Sequence, residues 1–237
     1  IWVLQRKQAS TEVTPRPLLY LVADTQRELE RIPLELTRVS VEEENQIGEE
    51  MARSFGLTPA DTKDPEVNRI REYVNEAGLR VTGGVKRPGI RYRFHYNPSE
   101  SFVNAAALPG GQIVIGKGLL QLLESEDELA SILGHEIAHV DQRHCIERLQ
   151  YELQSRKLGL GGLYQLGSIG VKLFQAGYTK EQELEADHEG LRLAVASGYA
   201  PGGAIDAMKR LEKLSQPTGA PATSPVEEMA RVPVQDG

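Results

Sequence analysis

From Ser40 onward, apolar residues recur every three or four positions in some stretches and alternate in others. The acidic run Glu42-Glu43-Glu44 precedes a helical stretch over residues 45–55, closed by Gly56. Asp64-Pro65 supplies an N-cap followed by a proline suited to the first helical position. Val67, Ile70, Val74 and Ala77 follow at helical spacing, with Gly78 as the expected stop. At Ile90 the period changes to two. Arg91-Tyr92-Arg93-Phe94-His95-Tyr96 reads as a strand, and Asn97-Pro98-Ser99 breaks it. Residues 104–108 and 112–115 then flank a tight corner at Pro109-Gly110-Gly111. A three-stranded antiparallel sheet over residues 90–116 is expected.

A long helix follows. Ser125 is a good N-cap, Glu128 completes a capping box, and Glu126 and Asp127 put negative charge where the helix dipole favours it. Leu129, Ile132, Leu133, Ile137 and Val140 form its buried stripe, and the pattern predicts a helix running to about Gln154. A second helix is predicted over 180–197, ended by Gly198 with Pro201 just beyond. A third covers about 203–214, before a Pro/Ala/Thr-rich stretch at 216–225. Residues 1–40, with Pro15, Pro17 and Pro33 between short apolar bursts, read as an extended arm laid on a main domain of residues 41–237. The Gly-rich stretch 158–171 carries Gln165 and Ser168 and stops at Lys172. It falls short of the roughly 18 uninterrupted apolar residues a membrane span needs, and reads as a loop or short helix on an apolar surface.

Composition narrows the function classes. Apolar residues make up 40% of the 237, charged residues 26%, and there are 23 Gly, so a core can form. A net charge of −7 argues against nucleic acid as a partner. The single cysteine, Cys145, excludes an internal disulfide and a cysteine-based zinc knuckle within these residues. Aromatic residues at 5% are too sparse for a stacking platform.

The chemistry centres on His135-Glu136-Ile137-Ala138-His139. Imidazoles four residues apart on a helix share a face one turn apart and can share a metal. Glu136 then stands beside that metal as a base. A third ligand is needed. Metzincins use a histidine six residues after the second, with glycine between; here those positions hold Cys145 and Gln142, so that class is out. His144, extrapolated along the same helix, faces away from the pair and reads as a surface or packing residue, and His95 as packed in its strand. The acidic run Glu181 to His188 remains. Glu183 and Asp187 share a face, and a carboxylate ligand with a second carboxylate behind an imidazole is the usual support of a catalytic zinc. Glu181, Glu185 and Glu189 read as a solvated face.

His135-Glu136-Ile137-Ala138-His139 followed by Glu183-Leu184-Glu185-Ala186-Asp187 resembles the gluzincin zinc metallopeptidases of the HtpX, CAAX prenyl protease and BepA family. Asn104-Ala105-Ala106-Ala107-Leu108-Pro109-Gly110-Gly111, Gly198-Tyr199-Ala200-Pro201 and Asp64-Pro65-Glu66-Val67 match that family's pattern in order, over roughly residues 40–232. The resemblance implies an α+β, mostly helical zincin-type domain with a small antiparallel sheet beside the HExxH helix. It implies one zinc per chain on His135, His139 and Glu183, Glu136 as general base, and Asp187 orienting a zinc-binding imidazole. It also implies that Asn104, Ala105 and Ala106 lie along the cleft and pair with a substrate backbone. Gly134 fits this picture, since a mid-helix glycine suits a close backbone approach. Two departures stand out: Ala106 replaces a frequent aromatic, and Ser224 in Thr223-Ser224-Pro225 replaces the histidine of the family's C-terminal motif.

The function this implies is zinc-dependent endopeptidase activity on polypeptides, in quality control or processing at the cell envelope. The alternative is a chaperone-like binder that keeps the zinc fold with little turnover. A zinc aminopeptidase would need an acidic anchor for the substrate amine, and no motif for one is visible. Tyr164, Tyr178 and His188 are candidates for stabilising an oxyanion by their place in the chain. The chain opens on Ile1, and a periplasmic or other extracytoplasmic location is expected on the assumption of a removed signal peptide. No transmembrane segment is expected in this chain; peripheral membrane association and the oligomeric state stay open.

Overall fold

A computed structural model describes residues 39–57, 63–155 and 177–214. The expected N-terminal arm up to residue 38, the Gly-rich stretch 158–171, Tyr164 and Thr223-Ser224-Pro225 lie outside these.

The described chain builds, in order, α1 (Val41–Ser54), α2 (Pro65–Val81), β1 (Arg93–Asn97), β2 (Ala105–Leu108), β3 (Gln112–Gly116), a single turn α3 (Lys117–Leu120), α4 (Glu126–Asp141), α5 (His144–Ser155), α6 (Lys180–Ala196) and α7 (Gly202–Leu214). Local chemistry explains most boundaries. The Asp64 carboxylate accepts the Glu66 N–H ahead of Pro65, and Ser125 accepts the Glu128 N–H. The Glu128 carboxylate does not close the expected box. It accepts the Glu124 N–H at 3.1 Å and pairs with Arg210 of α7 at 2.8 Å, tying the start of α4 to the last helix. Gly78 does not stop α2, which runs on to Val81 with Gly78 buried. Its role is close packing, since a Cβ there would sit 2.5 Å from the Phe94 ring of β1.

The sheet is mixed, with strand order β1-β3-β2. β2 and β3 form the expected antiparallel hairpin, Ala106 opposite Val114, turning at Gly110 and Gly111 with φ of 68° and 79°. β1 pairs parallel to β3, Phe94 beside Ile113, where an antiparallel neighbour was expected. The connection after Asn97 returns the chain beyond β3, so β1 and β2 flank β3 and never meet. Phe94, Ala105, Ala107, Ile113 and Ile115 turn one sheet face to a core completed by Val74 and Ala77 of α2, Leu129, Leu133, Ile137 and Val140 of α4, and Leu193 of α6. The other face, with Ala106 and Val114, is covered by Phe102. Ile47 and Met51 of α1 pack with Leu108 and with Ile146 and Leu149 of α5.

The predicted long helix is two helices. α4 ends at Asp141, whose carboxylate accepts the Lys86 and Arg87 N–H groups at 2.9 Å. Arg143 takes a left-handed φ of 67°, and α5 sets off in a new direction from His144.

α4 is the central helix, packing most extensively against α6. The crossing point is Gly134 over Gly190. A Cβ on Gly134 would lie 2.5 Å from the Gly190 carbonyl oxygen, and one on Gly190 would lie 2.5 Å from the His135 nitrogen. This backbone contact sets the α6 carboxylates beside the α4 imidazoles. Overpacking of about 1–3 kcal/mol is set against a helix-propensity gain of roughly 1 kcal/mol, so Gly190→Ala is expected to destabilise the protein by up to about 2 kcal/mol. Denaturant unfolding checks this; unchanged or higher stability would count against so close a crossing.

Candidate metal centre

His135 and His139 lie one turn apart on the buried face of α4 and turn their Nε2 atoms toward each other at 3.1 Å. Glu183, in the first turn of α6, brings Oε2 to 3.5 Å from His135 Nε2. One ligand atom from each of the three residues lies within 4.8 Å of the others. Glu183 Oε2 is buried with no hydrogen-bond partner among the described residues. A buried carboxylate oxygen left unpaired is costly, and one aimed at two converging imidazole nitrogens suits a cation. Two imidazoles on a tetrahedral zinc stand about 3.3 Å apart at their nitrogens, given bonds of about 2.0–2.1 Å. The observed 3.1 Å separation and the N, N, O donor set fit zinc.

The electrostatics point the same way. Burial pulls the His135 imidazole down, but the carboxylates of Asp187, Glu183 and Glu136 outweigh it and lift it to about 9. His139 is held well below its ordinary value by burial, then by the neighbouring His135, His144 and Arg148. The carboxylates around the two rings thus favour a positive charge in the pocket.

Asp187, one turn after Glu183, sets Oδ1 3.1 Å from His135 Nδ1, on the opposite side of the ring from the facing Nε2 atoms. Glu136 is buried between α4 and β2, where its carboxylate accepts the Ala107 N–H. Burial, reinforced by Glu183 and opposed by His135 and the Ala107 N–H, pushes its carboxyl up to about 7. A carboxyl so poised exchanges protons readily near neutral pH.

β2 forms the edge of the sheet on this side. The Asn104 carbonyl accepts the Gly116 N–H at 2.9 Å, so by the antiparallel alternation Asn104 and Ala106 turn their backbone groups to β3. Ala105 and Ala107 turn theirs outward. Those of Ala107 meet Glu136 and, at 3.7 Å, the Cys145 thiol. Of the three residues expected along the cleft, Ala105 alone offers its backbone to an added strand.

Two residues read as remote belong here. His144 was expected to face away, but the break after Asp141 turns it inward: it is buried, with Nδ1 3.0 Å from His139 Nδ1. Glu185, read as part of a solvated face, keeps a side chain 54% exposed yet brings Oε2 to 3.4 Å from His144 Nε2. Burial lowers the His144 pKa despite Glu185. No local signal marks the break, since neither Gly nor Pro occurs between Asp141 and His144.

The oxyanion candidates separate. Tyr178 stacks on the His139 ring, centroids 3.8 Å apart, and its hydroxyl meets Cys145 Sγ at 3.2 Å. That hydroxyl is engaged away from the imidazole pair. His188 is 81% exposed beside Glu189. His95 is buried against Gln112 at 2.8 Å, on the sheet. The motif Gly198-Tyr199-Ala200-Pro201 has a structural role: the Tyr199 hydroxyl and the Ala200 N–H, each at 2.8 Å, bind the Glu126 and Asp127 carboxylates in the first turn of α4.

A family model described as peptidase family M48 matches residues 67–229. The beta-barrel assembly-enhancing protease of Escherichia coli (strain K12) is 28% identical over 185 residues, covering 69% of this chain and 36% of that protein. Metalloprotease LoiP of the same organism is 26% identical over 183 residues, covering 73% of this chain and 69% of that protein. Mitochondrial metalloendopeptidase OMA1 of Arabidopsis thaliana is 34% identical over 122 residues, covering 49% of this chain and 25% of that protein. The chain thus spans 36% of the length of the first of these relatives.

Proposed function

The chain belongs to peptidase family M48, and we propose that it is a zinc-dependent endopeptidase, with residues 41–237 as its catalytic domain and one zinc per chain on His135, His139 and Glu183. The observation that carries this reading is the convergence of the two Nε2 atoms with the unpaired, buried Glu183 oxygen, with Glu136 on the adjoining helix position. When bound, the zinc supplies Lewis acidity, lowering the pKa of water and polarising a carbonyl.

The remaining work falls to the protein. Glu136 takes the proton of the attacking water and returns it to the amine as the peptide C–N bond breaks. Asp187 accepts the His135 Nδ1–H, which leaves the Nε2 lone pair aimed inward. The outward backbone of Ala105 pairs with an extended substrate, and Asn104 and Ala106 hold that edge against β3. An extended polypeptide read through its backbone gives broad sequence tolerance, which suits quality control or processing. A setting at the bacterial cell envelope, outside the cytoplasm, is supported by the likeness to a bacterial protease named for enhancing beta-barrel assembly. No helix among the described residues is long and apolar enough to cross a membrane. The chaperone-like alternative is not favoured, because Glu136 stands in place beside the three candidate ligands.

Purified protein is expected to carry one zinc per chain and to cleave unfolded casein. Chelation should stop cleavage and added zinc restore it. Cleavage persisting after complete metal removal would overturn the reading.

A further inference from the structure

We propose that His144 and Glu185 form a hydrogen-bonded relay that positions His139 for the metal, a second support alongside that of Asp187 for His135. The inference rests on the reading of His135, His139 and Glu183 as ligands.

The argument is one of proton direction. His139 presents Nε2 to the centre, 3.1 Å from His135 Nε2. A ring nitrogen that binds a cation must use its lone pair, so the proton of neutral His139 sits on Nδ1. That nitrogen lies 3.0 Å from His144 Nδ1. Two ring nitrogens in one hydrogen bond share one proton; since His139 donates, His144 Nδ1 accepts. His144 then carries its proton on Nε2, the atom that faces Glu185 Oε2 at 3.4 Å. Each donor in the chain His139, His144, Glu185 meets an acceptor. The reverse order would put the His139 proton on Nε2, between the two imidazoles, and remove a ligand.

The surroundings hold this order in place. His139 and His144 are both buried, so solvent does not readily replace the missing partner. Tyr178 stacks on His139 with ring planes 16° apart and fixes the plane of the ring. The three members come from α4, α5 and α6, and the left-handed turn at Arg143 is what brings α5 back to the site. That turn costs backbone energy at a residue other than glycine; it carries Ile146 and Leu149 into the core and His144 to the site together.

The test compares zinc affinity of the full chain, by competition with a chromophoric chelator, across four variants. His144→Phe keeps a ring of similar size and removes the acceptor; affinity is expected to fall about 10–100-fold, the usual effect of losing a ligand's partner. His144→Asn sets an amide oxygen near the Nδ1 position and should restore most of that loss. Glu185→Ala should weaken binding in the same direction but by less, because its carboxylate is half exposed. With cobalt(II) as the probe, the visible absorption bands should shift in His144→Phe and return toward wild type in His144→Asn. Wild-type affinity in His144→Phe, or equal losses in His144→Phe and His144→Asn, overturns the relay. If His144→Phe does not fold, wild-type affinity in the surface variant Glu185→Ala overturns it instead. His139→Ala is the control. Zinc retained there defeats the ligand assignment itself, whereas zinc lost there but held normally by His144→Phe defeats the relay alone.

Discussion

Glu136→Gln is expected to keep zinc and lose hydrolysis, with kcat/KM on a quenched fluorescent peptide falling by at least about 100-fold, the scale of a lost general base. The amide matches the carboxylate in shape and keeps an oxygen to accept the Ala107 N–H, so fold and centre should survive. It cannot take a proton from water. The substitution also removes an acid–base group that burial has pushed up to about 7, so the metal-free variant should fold at least as well as wild type. Zinc per chain and thermal unfolding establish that the site is intact; the peptide assay then reads the base alone. Cleavage near the wild-type rate with zinc in place would require a different base. The same variant separates hydrolysis from binding, because a chaperone-like binder would retain its function in Glu136→Gln while a peptidase would not.

The parts of this fold legible in the chain are those governed by short-range rules. The caps at Asp64 and Ser125 and the one-turn spacing of His135 and His139 are local features, and the structure keeps each of them. Gly134 marked a close approach without naming the partner, which proves to be Gly190 of α6. The misreadings share one cause. The parallel pairing of β1 with β3 depends on where a connection returns in space, and strand period says nothing about that. Gly78 has the composition of a stop but serves as a flat surface for Phe94. His144 was placed by continuing the 100° step of α4 across residues 142 and 143; five steps come to 140° from His139, the far side of a helix that does not in fact continue. One unmarked left-handed residue, Arg143, turned His144 from surface to site and so gave the exposed Glu185 a partner there. Nearness of α6 to α4 was likewise unreadable from spacing, and for Glu183 the family resemblance supplied what periodicity could not.

Glu183→Ala is expected to lower zinc affinity by more than about 100-fold, beyond the 10–100-fold expected of Asp187→Asn, because it removes a proposed ligand where Asp187→Asn removes only a ligand's support. Stability should report the same site. In the metal-free protein Glu183 Oε2 makes no hydrogen bond among the described residues but stands 3.5 Å from the His135 imidazole, whose pKa it helps to lift to about 9. Removing that carboxylate leaves the imidazole with less compensation, so metal-free Glu183→Ala should melt below metal-free wild type. Added zinc should widen the gap. A ligand that binds only the folded state at 100 times its Kd stabilises wild type by about 2.7 kcal/mol, and a variant with 100-fold weaker binding gains about 0.4 kcal/mol under the same conditions. The rise in melting temperature on adding zinc, and not the metal-free value, therefore reads the ligand. A variant whose melting temperature rises with zinc as much as that of wild type would mean that Glu183 supports the fold and not the metal, and would move the third ligand elsewhere.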